Sequence, residues 1–276
     1  MMQKQKQSLF RRFIHSLVIS FFITLFICSL LFLGAYFIFG EKKMEKYINT
    51  HTQAELPSTT TQQNTTESTE AEPSTLLLPT SEADDSYFDD MIFLGDSRTV
   101  AMEQYGYIKA ENTFAENGIN HQAFQHRTFT DTVSQTVGTY ADIIQARQPG
   151  KVYVALGING VAFMEESLFM EEYATLIDTI KEASPNSKII IQSILPVKNF
   201  QTHSSAHMTN ESIDYYNGLL LNLAEEKEVY FLNLAPELKT TENELNSIYD
   251  AGDGLHFKQE TYDVILQYIK THQVPE

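Results

Sequence analysis

The chain is short of basic residues, has a single cysteine and lacks tryptophan altogether. Its 276 residues hold 19 Lys and Arg against 36 Asp and Glu, a formal net charge of −17. So acidic a balance disfavours nucleic-acid binding, which needs a basic face to meet phosphates. The lone Cys28 excludes an intramolecular disulfide and a cysteine-based zinc site. Without tryptophan there is no obvious stacking platform for sugar rings. What is abundant is apolar: 42% hydrophobic residues are too many for a disordered chain and enough for one domain with appendages.

Charge is also missing locally. Between Arg12 and Glu41 there is no Asp, Glu, Lys or Arg, and this apolar run over 13–40 is 28 residues long. As a helix it would reach about 40 Å at ~1.5 Å per residue, more than the ~30 Å hydrocarbon core. Lipid offers no partner for backbone groups, so a spanning segment of this kind must be helical. The run exceeds a signal peptide's apolar core and no clear A-x-A site follows, which favours an uncleaved transmembrane anchor. His15 lies near its basic end, at the interface, and Cys28 is a small apolar residue within it. The preceding tail, 1–12, carries Lys4, Lys6, Arg11 and Arg12 and no acid. By the positive-inside rule it is expected in the cytoplasm, with the rest of the chain on the extracellular face of the cell membrane.

A linker is expected over 41–86. From 51 to 86 Ser and Thr dominate and aromatics are absent, and residues 51–90 hold nine acids and no Lys or Arg. Such a composition cannot bury enough apolar area to offset its ordering entropy. The Leu76–Leu78 triplet interrupts it, and either docks on the next domain or does nothing.

Residues 87–276 alternate between apolar runs and helical periodicity. Strands are expected at 91–95 (MIFLG), 113–117, 151–157 (KVYVALG), 188–197 (KIIIQSILPV) and 229–234 (VYFLNL). Helices are expected over 164–183, with Leu168, Tyr173, Leu176, Ile177 and Ile180 inward, and over 210–227, with Asn210 as N-cap and Ile213, Tyr216, Leu220 and Leu223 as its stripe. A last helix carries Tyr262, Ile265, Leu266 and Ile269 on one face. The pattern implies an α/β domain, with about five parallel strands covered by helices on both faces. In such sheets the functional crevice lies beyond the C-terminal ends of the strands.

Polar residues of chemical interest fall just there. Ser97, in Gly95-Asp96-Ser97, follows the first strand and opens a helix whose N–H groups suit a developing oxyanion. Asp253-Gly254-Leu255-His256 precedes the last helix, with an offset that lets the carboxylate reach its own histidine and fix its tautomer. Asn159, in Gly157-Ile158-Asn159-Gly160, follows the third strand, and Asn117-Gly118 follows the second. Each alone is ordinary turn chemistry, but four such elements at four strand ends are a constellation.

In these blocks the sequence resembles the SGNH hydrolases, the GDSL-type esterase/lipase family, over about 90–270. The resemblance implies a flavodoxin-like three-layer α/β/α fold. It also implies Ser97 as nucleophile, with His256 and Asp253 completing a catalytic triad. An oxyanion hole is implied at the Ser97 N–H, the Gly118 N–H and the Asn159 side chain. Neither metal nor cofactor enters such a mechanism, and a monomeric catalytic domain is the expectation. The sequence departs from the family pattern after Ser97, where Arg98 replaces the usual Leu, and at Gly160, where many members carry Asp. GDSRTVAM and DGLHFKQETY are similar to membrane-anchored members of Gram-positive bacteria. The α/β-hydrolase elbow Gly-x-Ser-x-Gly is absent.

The expected activity is hydrolysis of a short acyl ester, possible substrates including cell-wall carbohydrate. The Gly-x-Asn-Gly form is similar to SGNH domains of polysaccharide O-acetyltransferases, which makes acyl transfer the alternative. A non-catalytic surface binding module is the third reading. Of the other candidates, His203 and His207 have i, i+4 spacing but sit in a Ser/Thr-rich loop with no third metal ligand evident. Arg98 is open between an anion-binding role and a structural ion pair. His121, His126 and Arg127 read as a solvated basic loop.

Overall fold

The computed structural model describes residues 75–198 and 208–275. The expected membrane span at 13–40, the tail before it and most of the expected linker lie outside the described residues, as do Cys28, His203 and His207. Among the described residues no helix is long and apolar enough to cross a membrane.

Among the described residues seven strands and seven α-helices follow in order: β1 (Met91–Gly95), α1 (Ser97–Gln104), β2 (Thr113–Ala115), α2 (His121–Gln125), β3 (Phe129–Thr130), β4 (Val137–Gly138), α3 (Tyr140–Arg147), β5 (Lys151–Ala155), α4 (Ile158–Phe163), α5 (Glu166–Ala183), β6 (Lys188–Gln192), α6 (Asn210–Lys227), β7 (Tyr230–Leu232) and α7 (Thr261–Lys270). Five strands form one parallel sheet in the order β2-β1-β5-β6-β7, while β3 and β4 pair as a separate antiparallel ribbon. The chain thus leaves β1 toward one edge and returns to its other side, which puts a topological switch between β1 and β5.

The two-residue period of the strands builds a core on each face. Ile92, Leu94, Val152, Val154, Ile189, Ile191 and Phe231 pack with buried residues of α2 to α6. Met91, Phe93, Tyr153, Ile190 and Leu232 pack with α1 and α7 on the opposite side. All five residues of β1 are buried, as a strand covered on both faces requires. In α5 the buried stripe is Phe169, Tyr173, Leu176, Ile177 and Ile180; Phe169 takes the place expected for Leu168.

Three expectations are corrected. First, the strand expected over 188–197 ends at Gln192, because its outer neighbour β7 is only three residues long. Beyond it, side-chain amides on α6 replace the missing ladder. Asn217 bonds the N–H and carbonyl of Ile194 at 2.6 and 2.9 Å, and Asn210 those of Val197 at 3.0 and 2.7 Å. Second, Asn210 is therefore not the N-cap of α6; Thr209 is, accepting from the Ser212 N–H.

Third, the end of the linker at 86 falls too late. Leu76 pairs in parallel with Phe231, Leu77 donates to the Phe231 carbonyl at 2.9 Å, and the Phe231 N–H bonds the Thr75 carbonyl at 2.8 Å. The free edge of β7 offers these backbone groups a partner, and Leu77 is buried in the α1–α7 core. Thr80 and Ala83 then bond the carbonyls of Thr271 and Lys270. Composition marks 75–86 as spacer, but the exposed sheet edge recruits it.

Candidate active site

The C-terminal ends of three strands lie side by side, with Gly95 of β1 in register with Ala115 of β2 and Ala155 of β5. Neighbouring strands are ~4.8 Å apart, so the residues that follow each strand share one crevice. Ser97, Gly118 and Asn159 all come from these three exits.

Ser97 is the first residue of α1 and half-buried. The turn that presents it is tight. A Cβ on Gly95 would lie 1.9 Å from the Thr99 hydroxyl, so only glycine lets the first helical turn close over the strand. Asp96 caps the helix by accepting from the Arg98 N–H at 3.0 Å. Burial pushes the Asp96 carboxyl upward, against the Arg98 charge and that N–H, which favour the anion.

His256 reaches the crevice from the loop before α7. Its Nε2 lies 3.1 Å from Ser97 Oγ, and its Nδ1 lies 2.6 Å from Asp253 Oδ2. The other Asp253 oxygen accepts the N–H groups of Leu255 and His256 at 2.9 and 2.8 Å. Burial raises the Asp253 pKa, but the His256 ring, these two N–H bonds and the His256 charge outweigh it and hold the pKa down at about 2. An anionic Asp253 takes the Nδ1–H, which leaves Nε2 as an acceptor facing the serine hydroxyl.

Asp250 builds the loop. Its Oδ1 accepts from Gly252 at 2.9 Å and Gly254 at 2.7 Å, while Asp250 pairs with Phe257 across the loop base. Gly252 and Gly254 have φ of 112° and 70°, the left-handed region where side chains are strained. Asp250 escaped the sequence reading. Its signal was the Asp-x-Gly spacing of DAGDG, in which a carboxylate bonds N–H groups just ahead of it.

Asn159 lies in the first turn of α4, after Gly157 at φ 145°. Its Nδ2 donates to the Ile119 carbonyl at 3.0 Å, tying α4 to the loop that carries Gly118. One N–H of the amide remains for a ligand. Gly118, at φ 73°, is exposed.

His121 is not on a solvated loop. It is fully buried in α2, with its Nε2 2.9 Å from the Phe169 carbonyl, and burial holds its pKa down to about 4. Its ring explains Gly160: a Cβ there would come within 2.8 Å of His121 and 2.7 Å of Phe169. His126 and Arg127 are exposed, and Arg127 pairs with Glu116. Arg98 is engaged by the main chain. It is 8% exposed and its guanidinium bonds three backbone carbonyls.

The model of the GDSL-like lipase/acylhydrolase family matches residues 93–264, more than half of the sequence, so the chain belongs to this family. It is accordingly an ester hydrolase. Among solved structures, a Streptococcus pneumonia protein named for platelet activating factor is 18% identical; it aligns over 66% of this chain and 82% of its own, with a TM-score of 0.52. A GDSL-like lipase from Bacteroides thetaiotaomicron is 21% identical over 65% and 85% of the two chains, with a TM-score of 0.49. A family two carbohydrate esterase from Clostridium thermocellum, solved with cellohexaose, is 16% identical over 64% and 61%, with a TM-score of 0.47. The likeness to the S. pneumonia protein speaks for the shared fold. No curated protein matches the chain in sequence.

Proposed function

We propose that the protein is a membrane-anchored, extracytoplasmic serine esterase of the Gram-positive type, and that it releases a short acyl group, acetyl above all, from an ester. The observation that carries this reading is the continuous hydrogen-bonded line from Ser97 through His256 to Asp253, drawn from segments 159 positions apart in the chain. The anchor rests on the uncharged run at 13–40.

In this reading Ser97 Oγ attacks the ester carbonyl as its proton passes to His256 Nε2, while Asp253 stabilises the imidazolium. The oxyanion is held by the N–H groups of Ser97 and Gly118 and by the free N–H of Asn159. His256 then protonates the departing alcohol, which leaves an acyl-Ser97. Water attacks that ester, giving its proton to His256, and the carboxylic acid departs as Ser97 recovers its proton. If a sugar hydroxyl replaces water in the second half, the outcome is acyl transfer.

Ser97→Ala is expected to abolish release of p-nitrophenol from p-nitrophenyl acetate. Full activity in that variant refutes the assignment of the nucleophile. Product analysis with and without acetyl-accepting sugars separates hydrolysis from transfer.

A further inference from the structure

The residue after the proposed nucleophile is an arginine, and its side chain points inward rather than toward the crevice. Nε and Nη2 of Arg98 donate to the Leu255 carbonyl at 3.1 and 2.9 Å. Nη1 donates to the Leu195 carbonyl at 2.9 Å and Nη2 to that of Pro196 at 3.0 Å. The guanidinium carbon lies 4.5 Å from the centre of the Phe257 ring. Leu255 and Phe257 flank His256. The Arg98 main chain is fixed as well, since its carbonyl accepts from the buried Tyr262 hydroxyl at 2.9 Å.

We propose that Arg98 is a positioning residue, whose guanidinium holds the histidine loop against α1 and so sets the distance between His256 Nε2 and Ser97 Oγ. The inference rests on the esterase reading above and deepens it.

The two contacts of His256 differ in kind. Its bond to Asp253 is local, between residues three apart in a loop shaped by the Asp250 and Asp253 carboxylates and tied to the segment after β6 by the Lys198 N–H, which donates to the Gly254 carbonyl at 2.8 Å. Its bond to Ser97 crosses between two segments and depends on how the loop is seated. The fork from Arg98 to Leu255 spans the same two segments, one residue along in each. Three carbonyl oxygens converge on the guanidinium, two from the segment after β6 and one from the histidine loop. A planar cation with five donors can serve all three, whereas the ammonium of lysine is a point charge on a flexible stem. With Arg98 so engaged and 8% exposed, it is not free to receive an anionic substrate.

The test compares the full chain with Arg98→Lys and Arg98→Ala. A fluorophosphonate probe gives both the fraction of sites labelled and the rate of labelling. Hydrolysis of p-nitrophenyl acetate gives kcat, KM and the pH profile. Misplacement of reacting groups by about 1 Å costs on the order of 10²-fold. In Arg98→Lys we expect a labelled fraction equal to that of the native chain, and labelling rate and kcat each lower by about 10²-fold. KM should be little changed. The acidic limb of the kcat profile should keep its midpoint, because the Asp253–His256 bond stays intact within its loop. Arg98→Ala should lose as much and regain part of it on addition of methylguanidinium, but not of sodium chloride at equal ionic strength.

An unchanged labelling rate in both variants overturns the proposal. So does a smaller labelled fraction with undiminished kcat per labelled site, which would mean that Arg98 only supports folding. A displaced acidic limb also overturns it, since Arg98 would then act on the charge of the imidazole. A native chain inert to the probe overturns the esterase reading itself, a result distinct from the others.

Discussion

Acidification should destabilise the domain through one buried ring. His121 has no exposed surface, lies beneath Gly160 and Phe169, and has a pKa held down to about 4 by burial. In an unfolded chain a histidine titrates near ~6.5. Between these values the unfolded chain binds a proton that the folded domain excludes, so stability falls as pH drops from about 6.5 to about 4. A pKa lowered from about 6.5 to about 4, at ~1.4 kcal/mol per pH unit, amounts to about 3–4 kcal/mol, a large share of the ~5–15 kcal/mol typical of a domain. Below about pH 4 both states are protonated and this loss stops growing.

The perturbation that isolates the effect is His121→Phe. It keeps a ring between Phe169 and Tyr173, cannot titrate, and leaves the Phe169 carbonyl without its partner, at a cost of about 1–2 kcal/mol at every pH. Urea unfolding of the native chain and the variant across about pH 7 to pH 4 would compare the two proteins. Other groups titrate alike in both, so the difference reports on His121. The variant should be the less stable near pH 7, and the gap should close and reverse by about pH 4. A gap that stays constant across this range refutes the reasoning.

Two further outcomes follow from contacts described above. Asn159→Ala should lower kcat for p-nitrophenyl acetate on the order of 10²–10³-fold with little change in KM, because in the proposed mechanism its second N–H serves the oxyanion rather than the ground-state ester; an effect confined to KM would contradict that role. Leu77→Ala should cost about 2–5 kcal/mol in urea unfolding, since Leu77 is buried in the α1–α7 core; no effect would restore the spacer reading of 75–86.

The sequence alone was enough to locate what depends on short-range pattern. Continuous apolar runs identified the inner strands, because a strand buried on both faces must be apolar at every position. The strand exits then singled out Ser97, Gly118 and Asn159 as candidates, and the Gly- and Asp-rich turn before the last helix singled out Asp253 and His256. Asp253 and His256 are three residues apart, and their contact is written into that spacing.

What the sequence did not disclose depends on which partner a polar group meets across the fold. Arg98 was left between an anion-binding role and a structural ion pair, His121 was read as part of a solvated loop, and Asn210 as a helix cap. All three are buried, and each bonds a backbone carbonyl of another segment, 97, 48 and 13 positions away respectively. The edge of β7 likewise drew in Thr75–Leu77 from a stretch that composition assigns to a spacer. A buried backbone group must be satisfied by whatever donor or acceptor the tertiary structure places beside it, and no local pattern carries that information.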